Sequence, residues 1–130
     1  MSQHRLSVTA ADAPAAIGPY SQGIRSGAVL FCSGQIPLDP VSGELGGETA
    51  PDQAGQCLRN LAAVCRAGDT SLSNAVRCTV YMTDLGQFDA VNEVYASFFA
   101  EDPPARVAIG VAALPRGALV EIDAIVAVPS

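Results

Sequence analysis

No lysine occurs in these 130 residues; all seven basic side chains are arginine. That absence excludes a lysine Schiff base and the lysine-anchored pyridoxal site, both of which need a primary amine on the chain. Histidine is reduced to His4 alone, and the four cysteines, Cys32, Cys57, Cys65 and Cys78, form no CxxC pair. A zinc site needs clustered Cys and His ligands, so no metal is expected and the thiols read as buried, inert hydrophobes. Charged residues make up only 15% of the chain, against roughly 25% in ordinary soluble domains. Some apolar surface is therefore expected to meet another subunit rather than water. No apolar run is long enough to cross a bilayer, and residues 1–16, MSQHRLSVTAADAPAA, lack the continuous apolar core of a signal peptide. The expectation is a cytoplasmic protein.

What is present fits one domain, residues 1–130, with 49% hydrophobic residues to build its core. The formal net charge of −6 argues against nucleic acid and anionic membrane, which call for a basic face, and favours a small-molecule ligand. No repeat or linker divides the chain. Residues 28–35, AVLFCSGQ, read as a strand followed by a polar, Gly-rich loop, DPVSGELGG. Over 51–68, Ala54, Cys57, Leu58, Leu61, Val64 and Cys65 recur at helical spacing, with Gly68 as the stop. Residues 75–83, AVRCTVYMT, alternate as a half-buried strand does. A second helix is expected over about 86–100, with Phe88, Val91, Tyr95, Phe98 and Phe99 on one side, and two strands over about 106–112 and 118–128. The order implies an α+β layer with both helices on one face of a sheet.

Within this pattern Arg106 is conspicuous, because it heads an otherwise small and apolar strand in PPARVAIGVAALP. A guanidinium there calls for a negative partner. Alternation predicts Val107, Ile109 and Val111 against the helices and Arg106, Ala108, Gly110 and Ala112 on the open face. In ALVEIDAIVAV the same logic turns Glu121 and Asp123 to that open face. Either Arg106 pairs with one of these acids on a solvated sheet face, or arginine and acid line one hollow that receives an anion. Periodicity does not separate the two.

The segments AAIGPYSQGI, VLFCSGQIPLDPVSGEL, VYMTDLGQFDAVNEVYASFF, PPARVAIGVAALP and VEIDAIVAV together resemble the Rid, or YjgF-like, family of reactive intermediate deaminases, in order and over nearly the whole chain. The resemblance implies a chorismate-mutase-like single-layer sheet with two helices on one face, a homotrimer, and sites in clefts between subunits. It implies hydrolysis of enamine and imine acids, such as 2-aminoacrylate, to 2-oxo acids and ammonia without cofactor or metal.

The site residues follow from the matching motifs. Arg106 would bind the substrate carboxylate through its planar fork. Glu121 would hold and relay protons to the attacking water, while Asp123 reads as a solvated face residue. Tyr20 would wall the pocket, Ser33 and the Gly34 N–H would contact substrate, and Asn92, on the apolar stripe of its helix, would line the site or act as a structural clamp. Many family members carry cysteine two residues after the site arginine, where this chain has Ala108, whose backbone carbonyl would serve equally to orient water. Alternative functions are ribonuclease or translation inhibition, and a non-catalytic small-acid binder or chaperone that needs Arg106 but not Glu121.

Overall fold

The structure, a computed structural model, describes residues 4–130; the first three residues, part of the stretch read for a leader, lie outside it. Eight elements follow in order: β1 (Leu6–Val8), β2 (Gly23–Ser26), β3 (Val29–Gln35), α1 (Ala50–Ala67), β4 (Ala75–Met82), α2 (Phe88–Phe98), β5 (Ala105–Gly110) and β6 (Val120–Ala127). They form one six-stranded sheet in the order β1-β2-β3-β6-β4-β5. All neighbours are antiparallel except β4 and β5, which run parallel and are joined through α2.

The apolar stripe read for the first helix is the buried face of α1: Ala54, Cys57, Leu58, Leu61, Val64 and Cys65 are all inaccessible. Each large aliphatic side chain so buried contributes about 1.5–3 kcal/mol. Thr49 caps the helix by accepting from the Asp52 N–H at 3.3 Å, and Pro51 occupies the first turn. Gly68 ends it, donating to the carbonyls of Val64 and Cys65 at 3.0 Å. A side chain at Gly68 would press against Leu30, its Cβ 2.8 Å from Cδ2, so the helix C-terminus sits directly on β3. Across the sheet Leu30, Cys78, Val80, Met82, Val120, Ile122 and Val126 meet the helices.

Two strands escaped the sequence reading. β1 and β2 are three and four residues long, too short to display alternation; β1 pairs with β2, and β2 pairs with β3 around a hairpin whose turn uses Gly27 at φ 60°.

The face expected for Arg106 is inverted. Arg106, Ala108 and Gly110 stand opposite Cys78, Val80 and Met82, which are buried beneath the helices, so they point to the helix side. Val107 and Ile109 turn to the open face and are 37% and 43% exposed. The reason lies in the edge: α2 and the turn before it come so close to β5 that a Cβ at Gly110 would stand 3.0 Å from Leu85 Cδ1. Small residues are needed on that side, and the bulky ones go to the other. Glu121 is on the open face as expected, paired with Tyr81 in the β4–β6 register while Val120 and Ile122 are buried. Arg106 and Glu121 of one chain therefore lie on opposite faces of the sheet.

Candidate active site

Two groups of polar side chains are built on these opposite faces. On the helix side, Arg106 donates from Nη1 to Asn92 Oδ1 at 2.6 Å. Its guanidinium carbon lies 5.2 Å from the centre of the Phe88 ring and 4.9 Å from that of Tyr95. All three partners come from α2, at the i, i+4 and i+7 positions of one helical face. Two aromatic faces and one amide thus hold the guanidinium in place, while most of its donors stay available to a ligand. Asn92, read from the sequence either as a site-lining residue or as a structural clamp, is bonded to Arg106 itself. Ala108 follows Arg106 on the same edge. Cys78, directly across from Arg106, is buried with its thiol pushed up to about 11, chiefly by desolvation, and so remains protonated.

On the open side, a cleft of about 400 Å³ is lined by Tyr20, Gly34, Ile36, Arg116 and Glu121 among others. The seat of Glu121 is a β-bulge. Cys32 pairs with Ala124 and Gln35 with Ile122, so Ser33 and Gly34 together stand opposite one residue, Asp123. The extra residue brings Gly34 under Glu121, close enough that a Cβ there would overlap the carboxylate. Burial raises the proton affinity of Glu121 above that of an ordinary glutamate, and the nearby Asp123 charge adds to this.

Asp123 is not the solvated residue expected. It accepts from the Thr79 N–H at 3.2 Å and the Tyr81 hydroxyl at 2.9 Å, which ties it into β4 and keeps its negative charge near Glu121. Ser33 also differs from expectation: its hydroxyl donates to Ser21 O at 2.5 Å and its N–H to Gln22 O at 2.9 Å. Both groups are engaged in fastening the 20–22 segment to β3, so Ser33 holds the Tyr20 wall. Tyr20 itself is exposed at the cleft.

Three buried amides missed by the sequence reading position these walls. Gln22 accepts from Ala10 N and donates to Pro14 O, folding the N-terminal segment along the cleft. Asn60 donates to Ile36 O and Leu38 O, fixing the chain after β3. Gln53 accepts from Leu119 N at 2.7 Å and donates to Gly47 O, anchoring the approach to β6. The available signal was a polar residue on an apolar helical stripe: Gln53 and Asn60 are seven apart on α1. Among the described residues no group of three or more His, Cys, Asp or Glu side chains converges as metal ligands would, and no helix is long and apolar enough to cross a membrane.

A sequence model of the family described as Endoribonuclease L-PSP matches residues 10–128. The chain belongs to this family, known also as YjgF/RutC/Rid. It is 53% identical over 115 residues to the RutC family protein y4sK of Sinorhizobium fredii, covering 88% of this chain and 91% of that protein. It is 44% identical over 121 residues to the mouse protein named 2-iminobutanoate/2-iminopropanoate deaminase, covering 93% and 90%. The structure of RidA from the Antarctic bacterium Psychrobacter sp. PAMC 21119 superimposes with a TM-score of 0.90 at 41% identity, covering 94% and 98% of the two chains. The α+β fold, one mixed sheet with two helices on one face, matches these Rid structures.

Proposed function

We propose that this protein hydrolyses reactive 2-imino acids, and the enamines that tautomerise to them, to 2-oxo acids and ammonia, in sites completed where copies of the chain meet as a homotrimer. The observation that carries the reading is the division of labour between the two faces. One presents a preorganised guanidinium, and the other a half-buried carboxyl group of raised proton affinity beside a cleft. Neither half suffices for hydrolysis of an anionic imine. The exposed apolar side chains Phe31, Val107 and Ile109 on the open face supply surface for a second copy to cover, so that Arg106 of one copy approaches Glu121 of the next. The mouse relative's name gives the substrate class.

In this reading the Arg106 fork binds the substrate carboxylate through two N–H groups. Asn92, Phe88 and Tyr95 hold the fork so that little order is lost on binding. Water adds to the imine carbon, its proton passing to the ionised Glu121 carboxylate and from there to the nitrogen, which leaves a neutral carbinolamine. The amine takes a second proton from solvent. Glu121 then accepts the hydroxyl proton as the C=O bond forms, the C–N bond breaks and ammonia departs. Release of that proton to solvent restores the carboxylate. The sum is imine plus water to oxo acid plus ammonia. A carboxyl group with proton affinity raised toward neutrality suits both directions of transfer.

A ribonuclease reading sits poorly with a net charge of −6, which repels a polyanion. The test is a coupled assay in which an amino-acid oxidase generates 2-iminobutanoate and its decay is followed with and without the protein. Acceleration that scales with protein concentration supports deamination. Decay at the buffer rate at all concentrations rejects it in favour of a binder.

A further inference from the structure

Among the described residues three that are not glycine, Asp69, Asp102 and Arg116, have positive φ. Aspartate enters the left-handed region readily because its short carboxylate bonds locally, but a long side chain such as arginine does so at a cost of order 1 kcal/mol or more. Arg116 adopts φ 62°, ψ 18° in the turn before β6, and Gly117 follows at φ 71°. The strained turn places Arg116 at the wall of the cleft that holds Tyr20, Gly34 and Glu121. The guanidinium is steadied by donating from Nη2 to Gly43 O at 3.2 Å, on the loop after β3. That carbonyl is itself fixed by the Asp39 turn, in which Asp39 Oδ1 accepts from Val41 N and Ser42 N and Asp39 O from Gly43 N.

Arg116 makes no ion pair among the described residues; the one salt bridge there joins Arg25 and Asp69. Nor is its charge spent on Glu121, whose proton affinity is raised by burial and by Asp123 with no cation lowering it. Of five guanidinium donors one is engaged, and Arg116, which is exposed, lines the cleft together with Tyr20 and Glu121. A cation held by strain and left unneutralised is a ligand group in waiting.

We infer that Arg116 is a specificity determinant that binds a second anionic group on the substrate, so that the site prefers 2-imino dicarboxylates over 2-imino monocarboxylates. Arg106 takes the carboxylate next to the imine carbon, and Arg116, on the far side of Glu121's cleft, takes the one at the other end of the chain. The inference rests on the deaminase reading for its chemistry, whereas the recognition of two carboxylates is open to measurement without turnover.

The experiment pairs binding with catalysis. Titration calorimetry of the wild-type protein with 2-oxoglutarate and with 2-oxobutanoate gives the binding preference, and imines generated by oxidases from glutamate and from 2-aminobutyrate give the kcat/KM preference. Wild type is expected to favour the dicarboxylate about tenfold or more, since a charge-assisted contact is worth that much. Both Arg116→Gln and Arg116→Gly are expected to collapse that ratio. Arg116→Gly relieves the backbone strain, so its loss of preference is not a folding defect. Equal binding of the two oxo acids by wild type, no binding of 2-oxoglutarate, or a preference that survives in both variants overturns the inference. A binding preference lost in the variants, with neither imine hydrolysed, upholds Arg116 and rejects the deaminase reading. Hydrolysis of both imines at equal efficiency does the reverse.

Discussion

The carboxyl group of Glu121 rests directly on Gly34, and the space it fills is the one a β-carbon at that position would occupy. Glycine is thus required at the bulge for lack of a side chain. Gly34→Ala is expected to push Glu121 out of its seat and lower imine hydrolysis by about tenfold or more, up to the roughly 10²–10⁴ that loss of one general acid–base group costs. The Ser33 bonds to the 20–22 segment should hold the strand in place. Circular dichroism should show an unchanged fold. Full activity in this variant would mean that Glu121 does not act from the position described.

Arg106 is held by an amide and two rings, so its charge alone is not its contribution. Arg106→Lys keeps the charge but loses the fork, and a ten- to hundredfold fall in kcat/KM is expected. Asn92→Ala leaves the fork less well aimed and should reduce kcat/KM by about three- to tenfold. Steady-state kinetics on one imine for both variants checks the order of the two effects.

The raised proton affinity of Glu121 has two consequences of defined sign. Because the carboxylate form accepts the water proton, kcat/KM should fall with decreasing pH, around a midpoint above the ordinary glutamate value of about 4.3. For stability, a folded-state pKa above the unfolded one means that the contribution is fully present below the unfolded pKa and lost as pH rises through the folded pKa. Glu121→Gln should therefore melt higher than wild type at neutral pH, with the difference shrinking toward pH 4. A melting difference that is constant with pH would show that the carboxyl group is not desolvated.

The open face predicts assembly. Phe31, 47% exposed on β3, stands beside Ile125 of β6 with no element of the same chain above them. Light scattering is expected to give three times the chain mass at micromolar concentration, and Phe31→Asp to yield monomer without deaminase activity. A wild-type monomer would remove the basis for shared sites.

Long periodic elements could be read from the chain because burial imposes their spacing: every apolar position named for α1 is buried, β6 alternates as read, and β4 does so from Cys78 onward, whereas Val76 is exposed at a register shift. β1 and β2 are too short for a period to register. Alternation along β5 correctly separated Arg106 from Val107, yet it carries no information on which side the helices lie. The bulky-inside assumption failed because β5 is an edge strand whose apolar residues face outward. Gln53 and Asn60 stand out as polar residues on an apolar stripe, but the backbone partners of Gln22, Gln53 and Asn60 lie on other segments, which no local pattern names. Motif resemblance pointed to Arg106, Glu121, Tyr20, Gly34 and Asn92 as candidates, but not to the separation of the first two across the sheet of one chain.

That separation makes the central claim testable by complementation. Arg106→Ala and Glu121→Gln, each expected to be nearly inactive alone, are co-expressed with different tags and the mixed oligomers isolated. If every site takes Arg106 from one copy and Glu121 from the next, each isolated mixed trimer, whichever its ratio, regains both residues at about a third of its sites, since a ring of three holds a single junction of the required order. Imine hydrolysis should then recover to about a third of the wild-type rate by the same count. Mixed oligomers as inactive as their parents would contradict the account, because Arg106 and Glu121 would then not meet across copies of the chain.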